Sequence, residues 1–483
     1  MLLEYSFATE LTGLTTPVKS IKLNHSNLQI INYKLFDELN LPKNWQEEHS
    51  LFVELFSEQG KLNRHSVAQK YGGHQFGHWN PQLGDGRGLL LAEVIDPQKQ
   101  RWDIHLKGAG PTPYSRGADG RAVLRSTIRE YLASEALHHL GIPSSRALAL
   151  ISSEEPVYRE KQEPGAMLLR TCQSHIRFGH FEYFFHSGQT EKLQQLFDYC
   201  FKYHFIDCLA ADNPYRALLE KITQDTAKLI AKWQAFGFNH GVMNTDNMSI
   251  HGITFDYGPY AFLDDFEPNF ICNHSDPQGR YSFDSQPSIG LWNLNSLAQA
   301  FTQHLDVEQI KQVLGQYESA LMNEYSQLML KKCGLVVDKS PNSNNVEIVN
   351  GWLDILATEK KDFTISFRQL CEFDAKGENQ TFRDQFIDRD KFDNWAKLYS
   401  TTLLKQTITQ QDRQAAMKRS NPKVILRNYL AQQVIDQAED GNFSLLNEFI
   451  KALEDPYADK KEYDKFSLPP PNWGKKLEIS CSS

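Results

Sequence analysis

The chain has no apolar run approaching the ~18 residues that a membrane-spanning helix requires, which argues against an integral membrane protein. Its seven cysteines, at 172, 200, 208, 272, 333, 371 and 481, contain no C-x-x-C pair. That excludes the patterned cysteines of a secreted disulfide framework or a structural zinc site. Six of them read as small buried hydrophobes, whereas Cys481 lies in a polar tail. Basic residues are not in excess: 51 Lys and Arg face 60 Asp and Glu, for a net charge of −9. The balance argues against a general nucleic-acid binder but leaves room for a local basic pocket. The start, Met1-Leu2-Leu3-Glu4-Tyr5, lacks the basic and apolar regions of a signal peptide. Two acids, Glu4 and Glu10, precede the first basic residue, Lys19, which is unlike a mitochondrial leader. The expected location is the cytoplasm. No internal repeat is present. At 483 residues, 40% hydrophobic and 23% charged, the sequence has an ordinary globular composition and room for about two to four domains.

What is present is concentrated in a few stretches. Residues 1 to about 65 give weak signals. Gly84-Asp85-Gly86-Arg87-Gly88 leads into an apolar strand, Leu89 to Ile95, and Trp102 to Lys107 predicts a second. Alternation in that second strand puts Asp103, His105 and Lys107 on one face. A Gly/Pro/Ser-rich loop containing Asp119-Gly120 follows, then a helix from about Ala122 to His139 that Gly141 stops. Ser145–Ile151 and Ala166–Thr171 predict further strands. Helical spacing then governs Leu193–Ala211, Tyr215–Gly237, Leu291–Leu305 and Val307–Lys332, while Phe255–Phe266 reads as strand, turn and strand. A polar break at Asp338–Asn345 marks a boundary, helical pattern resumes to about 455, and the Pro469-Pro470-Pro471 tail cannot form its own core.

The most informative stretch is His240-Gly241-Val242-Met243-Asn244-Thr245-Asp246-Asn247, followed by Asp256-Tyr257-Gly258. A kinase-type catalytic loop places an Asp five residues before a metal-binding Asn, and a second metal-binding Asp follows in a DFG-like turn. Here Asn247 and Asp256 occupy the two metal positions, but Val242 stands where the catalytic Asp belongs. Val242 can neither accept a proton nor orient a hydroxyl. Asp246 is the only carboxylate near that gap. The pattern predicts a bound nucleotide and its metal with altered chemistry.

Other residues fit the same picture. Gly84, Gly86 and Gly88 let backbone approach phosphate, and Arg87 adds a cation, although such a turn also fits an ordinary hairpin. Lys107 is placed to touch phosphate and to pair with a carboxylate of the following helix, Glu130 in preference to Glu135. Arg170 and Arg177 offer guanidinium forks, alternatively two surface ion pairs. His74-x-x-x-His78 has zinc-like spacing, but three glycines surround it and no third ligand is evident. It reads as a structured loop lining the nucleotide site.

Three longer motifs resemble the selenoprotein O family, called SelO or YdiU in bacteria. They are Gln82–Gly88, His105-Leu106-Lys107-Gly108-Ala109-Gly110-Pro111-Thr112-Pro113-Tyr114-Ser115-Arg116, and Asn244–Ser249. The likeness runs from about residue 65 to the C-terminus. It implies an α+β, protein-kinase-like bilobal fold, with a β-rich small lobe (1–170), a helical large lobe (171–335) and a helical C-terminal extension (336–483). It also implies ATP bound inverted relative to kinases, with AMP, or UMP from UTP, passing to Ser, Thr or Tyr hydroxyls of proteins, the enzyme itself included. By motif, Gly84, Gly86, Arg87, Lys107, Asp119, Gly120, Arg170, Arg177 and Asp256 would bind nucleotide. Asp246 would be the base, and Asn247 and Asp256 would hold Mg²⁺ or Mn²⁺. Eukaryotic members carry a selenocysteine near the C-terminus where this chain has Cys481, and Cys272 is the first candidate to pair with it. Neither a membrane nor a nucleic acid is an expected partner, and nothing demands more than a monomer. The competing readings are a γ-phosphoryl kinase and a non-catalytic nucleotide-binding scaffold.

Overall fold

In the computed structural model, which describes residues 3–336 and 344–479, the N-terminal part is built on a ten-stranded antiparallel sheet. In chain order the strands are β1 (Leu3–Glu4), β2 (Thr15–Pro17), β3 (Asn27–Ile31), β4 (Val67–Gln75), β5 (His78–Gly84), β6 (Gly88–Ile95), β7 (Arg101–Lys107), β8 (Ala122–Val123), β9 (Arg146–Tyr158) and β10 (Gln162–Cys172). The order is β2-β4-β6-β7-β10-β9-β3, with β1 on β6, β5 on β4 and β8 on β10.

The central strands are apolar on both faces because both faces are covered. Leu89, Leu91, Ile104, Leu106, Met167 and Leu169 enter one core with the N-terminal helices. Leu90 and Leu168 point the other way, into the larger core that contains Ile128 and Leu132 of the Leu124–His139 helix. The register sets Arg170 opposite His105, and Leu168 opposite Lys107. Since side chains alternate, Lys107, His105 and Arg170 share the helix-facing side. The expected strands and this helix thus lie where periodicity put them.

From Phe178 onward the chain is mainly helical. The Pro214–Phe236 helix shows the local rules clearly. Asn213 caps its start by accepting from Arg216 N, Pro214 occupies the first turn, and Gly237 ends it at φ 69°. The 23 residues of this helix make the central pillar of the large helical part. Later helices include Asn428–Glu439 and Ser444–Leu453, both packed on Leu124–His139. The larger core takes side chains from Phe7 to Phe466, so it is continuous across the expected boundaries near 170 and 336. No helix among the described residues is long and apolar enough to cross a membrane.

Several expectations need correcting. Phe255–Phe266 is not strand, turn and strand: only Ala261–Phe262 forms a ladder, with Phe238–Asn239. Asp256 has φ 59°, which turns the chain out of extended geometry just where the first strand was expected. Val307–Lys332 is two helices, Val307–Leu314 and Tyr317–Lys332, parted at Gly315-Gln316, where glycine lowers helix propensity. His74 and His78 belong to a β4–β5 hairpin, not a loop, with Phe76 and Gly77 at φ 50° and 83° in its turn. The Phe178–His186 helix was not anticipated. The C-terminal tail has no core of its own but docks: Lys475 pairs with Asp265 at 2.6 Å, and buried Ile479 accepts from His274 N at 2.9 Å. The polar break falls almost wholly on residues 337–343, outside the described residues.

Lys332, in the last turn of Tyr317–Lys332, is 3% exposed, with its ammonium 4.5 Å from the centre of the Phe367 ring. Burial pushes its amine down to about 8. Between pH 8 and the unfolded value of 10.5 the unfolded chain binds more protons, so stability rises with pH across that window. Below it the penalty is fully present. Lys332→Met should therefore stabilise the fold at pH 7, by about 3 kcal/mol from the linkage. The advantage should shrink as pH rises from 8 to 10, read from urea midpoints of both proteins.

Candidate functional site

The sheet's helix-facing side carries charges that need one another. Lys107 Nζ pairs with Glu130, whose other oxygen accepts from Arg170 Nη1 at 2.6 Å. Arg170 Nη1 also reaches Asp256 Oδ1 at 3.1 Å, and Arg177 Nη1 takes Oδ2 of the same carboxylate. Glu135, the other helix carboxylate, is committed elsewhere, to a bidentate pair with Arg146 at 2.8 and 2.9 Å. Burial alone would push Glu130 and Asp256 up. The Lys107 and Arg170 charges at Glu130, and Arg177, Arg170 and Lys107 at Asp256, outweigh it and hold both carboxyls below the usual range.

Arg170 is further fixed from behind. Its Nε donates to His105 Nδ1 at 3.3 Å, which requires a neutral acceptor nitrogen there. Burial, reinforced by Arg170, keeps the His105 ring well below the usual titration range. His105 in turn faces Asp85 Oδ2 at 3.5 Å and stacks on His175, whose backbone N–H donates to Asp103 at 2.7 Å. Asp103 and His105, legible as one face of a strand, thus support the charge cluster.

Arg170 and Arg177 converge on Asp256 from different elements. Arg170 lies in β10, and Arg177 caps the Phe178–His186 helix. Arg177 is 1% exposed, sandwiched between the Tyr71 and Phe255 rings at 4.4 and 4.7 Å. It was expected at the nucleotide, but it lies one layer behind the cavity wall and also donates to Asp246 O at 2.8 Å.

The His240–Asn247 segment crosses beneath. Val242 lines the cavity, and its carbonyl accepts from Asn247 Nδ2 at 3.0 Å. That bond leaves Asn247 Oδ1 for other partners. Asp246 is buried; Gln75 Nε2 donates to its Oδ2 at 3.1 Å, while Oδ1 has no hydrogen-bond partner. Burial, partly offset by Arg177, raises its carboxyl to about 7. Gly73 makes this close approach possible: a Cβ there would lie 2.9 Å from Asp246 Oδ1.

These groups surround a cavity of about 600 Å³. Its walls include Gly84, Gly86, Arg87, Lys107, Asp119, Gly120, Arg170, Asp246, Asn247 and Asp256. Asp119 sits at the outer rim in a two-pronged pair with Arg159 at 2.8 and 2.9 Å. Gly120 is packed on the Gly110 carbonyl, too close for any Cβ. Glu130 and Arg177 stand behind the walls. The stretch from His74 to His78 was expected to line the site, and its Gln75 and Phe76 do; sequence reasoning missed Tyr114 and Arg159. Arg159 carried no signal, since it lies in the β9–β10 turn far along the chain. Cys272 is buried, its Sγ 3.5 Å from Pro259 O, and Cys481 lies outside the described residues.

The cluster's charge sum decides what it can hold. The cavity wall carries six cations, Arg87, Lys107, Arg116, Arg121, Arg159 and Arg170, against four carboxylates, Asp85, Asp119, Asp246 and Asp256. The surplus suits a polyanion. The chain matches the family model for protein adenylyltransferase SelO over residues 2–454. It belongs to the SelO family. It is 59% identical to protein nucleotidyltransferase YdiU of Pseudoalteromonas atlantica over 483 residues, covering 100% of both chains. Its identity to the proteins of that name from Erwinia tasmaniensis and Vibrio cholerae is 48% in each case, with 99% of this chain covered and 99% and 98% of theirs. The chain is accordingly a nucleotidyl-transfer enzyme, an adenylyltransferase, and the cavity is its candidate active site.

Glu130 offers a test of the cluster. Removing one partner from a buried ion pair leaves uncompensated charge, typically costing ~3–5 kcal/mol. Glu130→Gln should therefore destabilise the fold by roughly that amount. Lys107→Met combined with Glu130→Leu should cost less than Glu130→Gln alone, as measured by urea denaturation.

Proposed function

We propose that this adenylyltransferase moves AMP from ATP, with UTP as an alternative donor, to Ser, Thr or Tyr hydroxyls of proteins, its own included, and releases pyrophosphate. We propose further that its β-rich part (to about 170) and helical part (171–335) are the two lobes of a kinase-like fold, extended by helices from 336. The nucleotide lies inverted between them, in the cytoplasm. Val242 carries this reading: the position from which a kinase loop would address its acceptor is apolar, while Asp246 places a carboxylate in the cavity wall.

In this reading Arg87, Lys107 and Arg170 face the phosphates, Gly84, Gly86 and Gly120 let backbone come close, and Asp119 holds the outer rim. Asp256 is fixed by Arg170 and Arg177, yet a carboxylate has about four acceptor sites, so both arginine contacts leave room for a cation. With Asn247 Oδ1 also uncommitted, the donors fit Mg²⁺ or Mn²⁺ completed by phosphate oxygens. Such an ion would neutralise charge on the phosphates as the pyrophosphate leaves. The acceptor oxygen attacks the α-phosphorus, the bond to pyrophosphate breaks, and the hydroxyl proton passes to the Asp246 carboxylate. Most of the acceleration in such transfers comes from positioning and charge neutralisation, with a general base adding ~10²–10⁴-fold.

The docked tail supports a second element. His274 N donates to Ile479 O at 2.9 Å, which joins a residue two after Cys272 to one two before Cys481 in sequence. We propose that these two thiols join when oxidised by a small-molecule disulfide, which takes up their two electrons and two protons. Non-reducing peptide mapping after mild oxidation should recover the linked pair; Cys481 always found free would refute the pairing.

The donor assay compares label transfer to protein from ATP labelled at the α- or the γ-phosphate. Label should come from α alone, vanish with chelator, return with Mg²⁺ or Mn²⁺, and be lost in Asp256→Ala. Label from γ alone would make the chain a kinase and overturn the inverted nucleotide.

A further inference from the structure

The tip of the β4–β5 hairpin makes four bonds, three of them to the catalytic segment and one to Tyr281. His74 N donates to Thr245 Oγ1 at 2.7 Å, and Phe76 N donates to Asn244 Oδ1 at 3.2 Å and to Tyr281 OH at 3.0 Å. The fourth is the Gln75 amide on Asp246. Thr245 Oγ1 in turn donates a hydrogen bond to Glu182 at 2.6 Å, and the other oxygen of that buried carboxylate meets His74 Nδ1 at 3.1 Å. Backbone and side chain of residues 74–76 are therefore registered against residues 244–246 on both sides of Gln75.

The orientation of the Gln75 amide is determined by its neighbours. Asn80 stands across the hairpin, and its Oδ1 accepts from Gln82 N at 3.0 Å. Its Nδ2 is thereby left to donate to Gln75 Oε1, at 3.4 Å. With Oε1 so engaged, Nε2 of Gln75 faces Asp246 Oδ2. Each amide fixes the next.

We propose that Gln75 is a positioning residue for acceptor activation: its amide, itself held by Asn80, fixes the orientation in which the Asp246 carboxylate at the cavity wall meets the acceptor hydroxyl. This rests on the role given to Asp246 above. Gln75 has no part in binding the phosphates, whose cations lie on β7, on β10 and in the β5–β6 turn, so its loss should be felt in turnover and not in nucleotide affinity. A general base works only within hydrogen-bond reach of its proton, and displacement of about 1 Å can cost ~10²-fold.

Gln75→Met keeps the side chain's length and removes the donor. In the full chain, with α-labelled ATP and a protein acceptor, kcat should fall about 10- to 100-fold. The KM for ATP, the ATP-induced rise in melting temperature and the melting temperature itself should be unchanged. Asn80→Leu, which leaves Gln75 in place but frees its amide to turn, should lower kcat by less and leave ATP binding alone. Unchanged kcat in Gln75→Met would overturn the proposal. So would a fall in kcat that tracks a lost melting temperature or a raised KM for ATP, because that is what a purely structural strap predicts. If Gln75→Met does not fold, the same two outcomes are read from Asn80→Leu. Absence of α-label transfer by the unaltered chain would instead sink the functional reading, and this inference with it.

Discussion

The Asp256 carboxylate, gripped by two arginines, is the contact on which the rest of the site depends. Arg170 arrives from the sheet and Arg177 from the start of a helix in the other half of the molecule. Asp256 itself lies in left-handed backbone geometry, φ 59°, which costs about 1–3 kcal/mol for a residue with a side chain. That conformation persists because both guanidinium groups pull one carboxylate into place. The same contact joins sheet to helices and fixes where the segment after Phe255 leaves the strand direction.

The cost of burying this much charge explains the layers around it. Paired charges tolerate burial only when their remaining donors and acceptors are also used. Arg170 meets the condition through Glu130, Asp256 and His105. Arg177 meets it only partly: Nε and Nη2 have no hydrogen-bond partner, and two aromatic faces cover them instead. Ring quadrupoles offset some of that loss. A hydrophobic packing of equal volume would be as stable or more so, so the cluster's cations are better understood as retained for a polyanionic ligand than for the fold.

Much of this was legible in the sequence, and the division between read and unread is physical. Periodicity found β6, β7 and the Leu124–His139 helix, because each has an apolar pattern fixed by burial. The parity of β7 was enough to put Lys107 and His105 on one side. Residue spacing singled out Val242, Asn247 and Asp256. It could not place Arg177 behind the wall and Arg170 in it, because that depends on a turn at Ser174 and on rings from residues 71 and 255. Nor could it show that Phe255 leaves strand geometry, since the cause is a long-range ion pair. The hairpin at 67–84 was obscured by its glycines, whose use is close approach and not chain reversal alone.

Those glycines bear on how a carboxylate missing from one position can be present at another. Asp246 lies four residues after Val242, at the start of a short turn, and so approaches the cavity from the hairpin side. A residue with a side chain at Gly73 would occupy the space that Asp246 needs, and one at Gly179 would collide with the Gly72 carbonyl. Backbone without a side chain at Gly73 is thus required for Asp246 to sit where it does. The position of this carboxylate is therefore set by two elements: the loop that supplies it and the strand that makes room. In this chain the strand also supplies, one step after His74, the amide that holds the carboxylate in place.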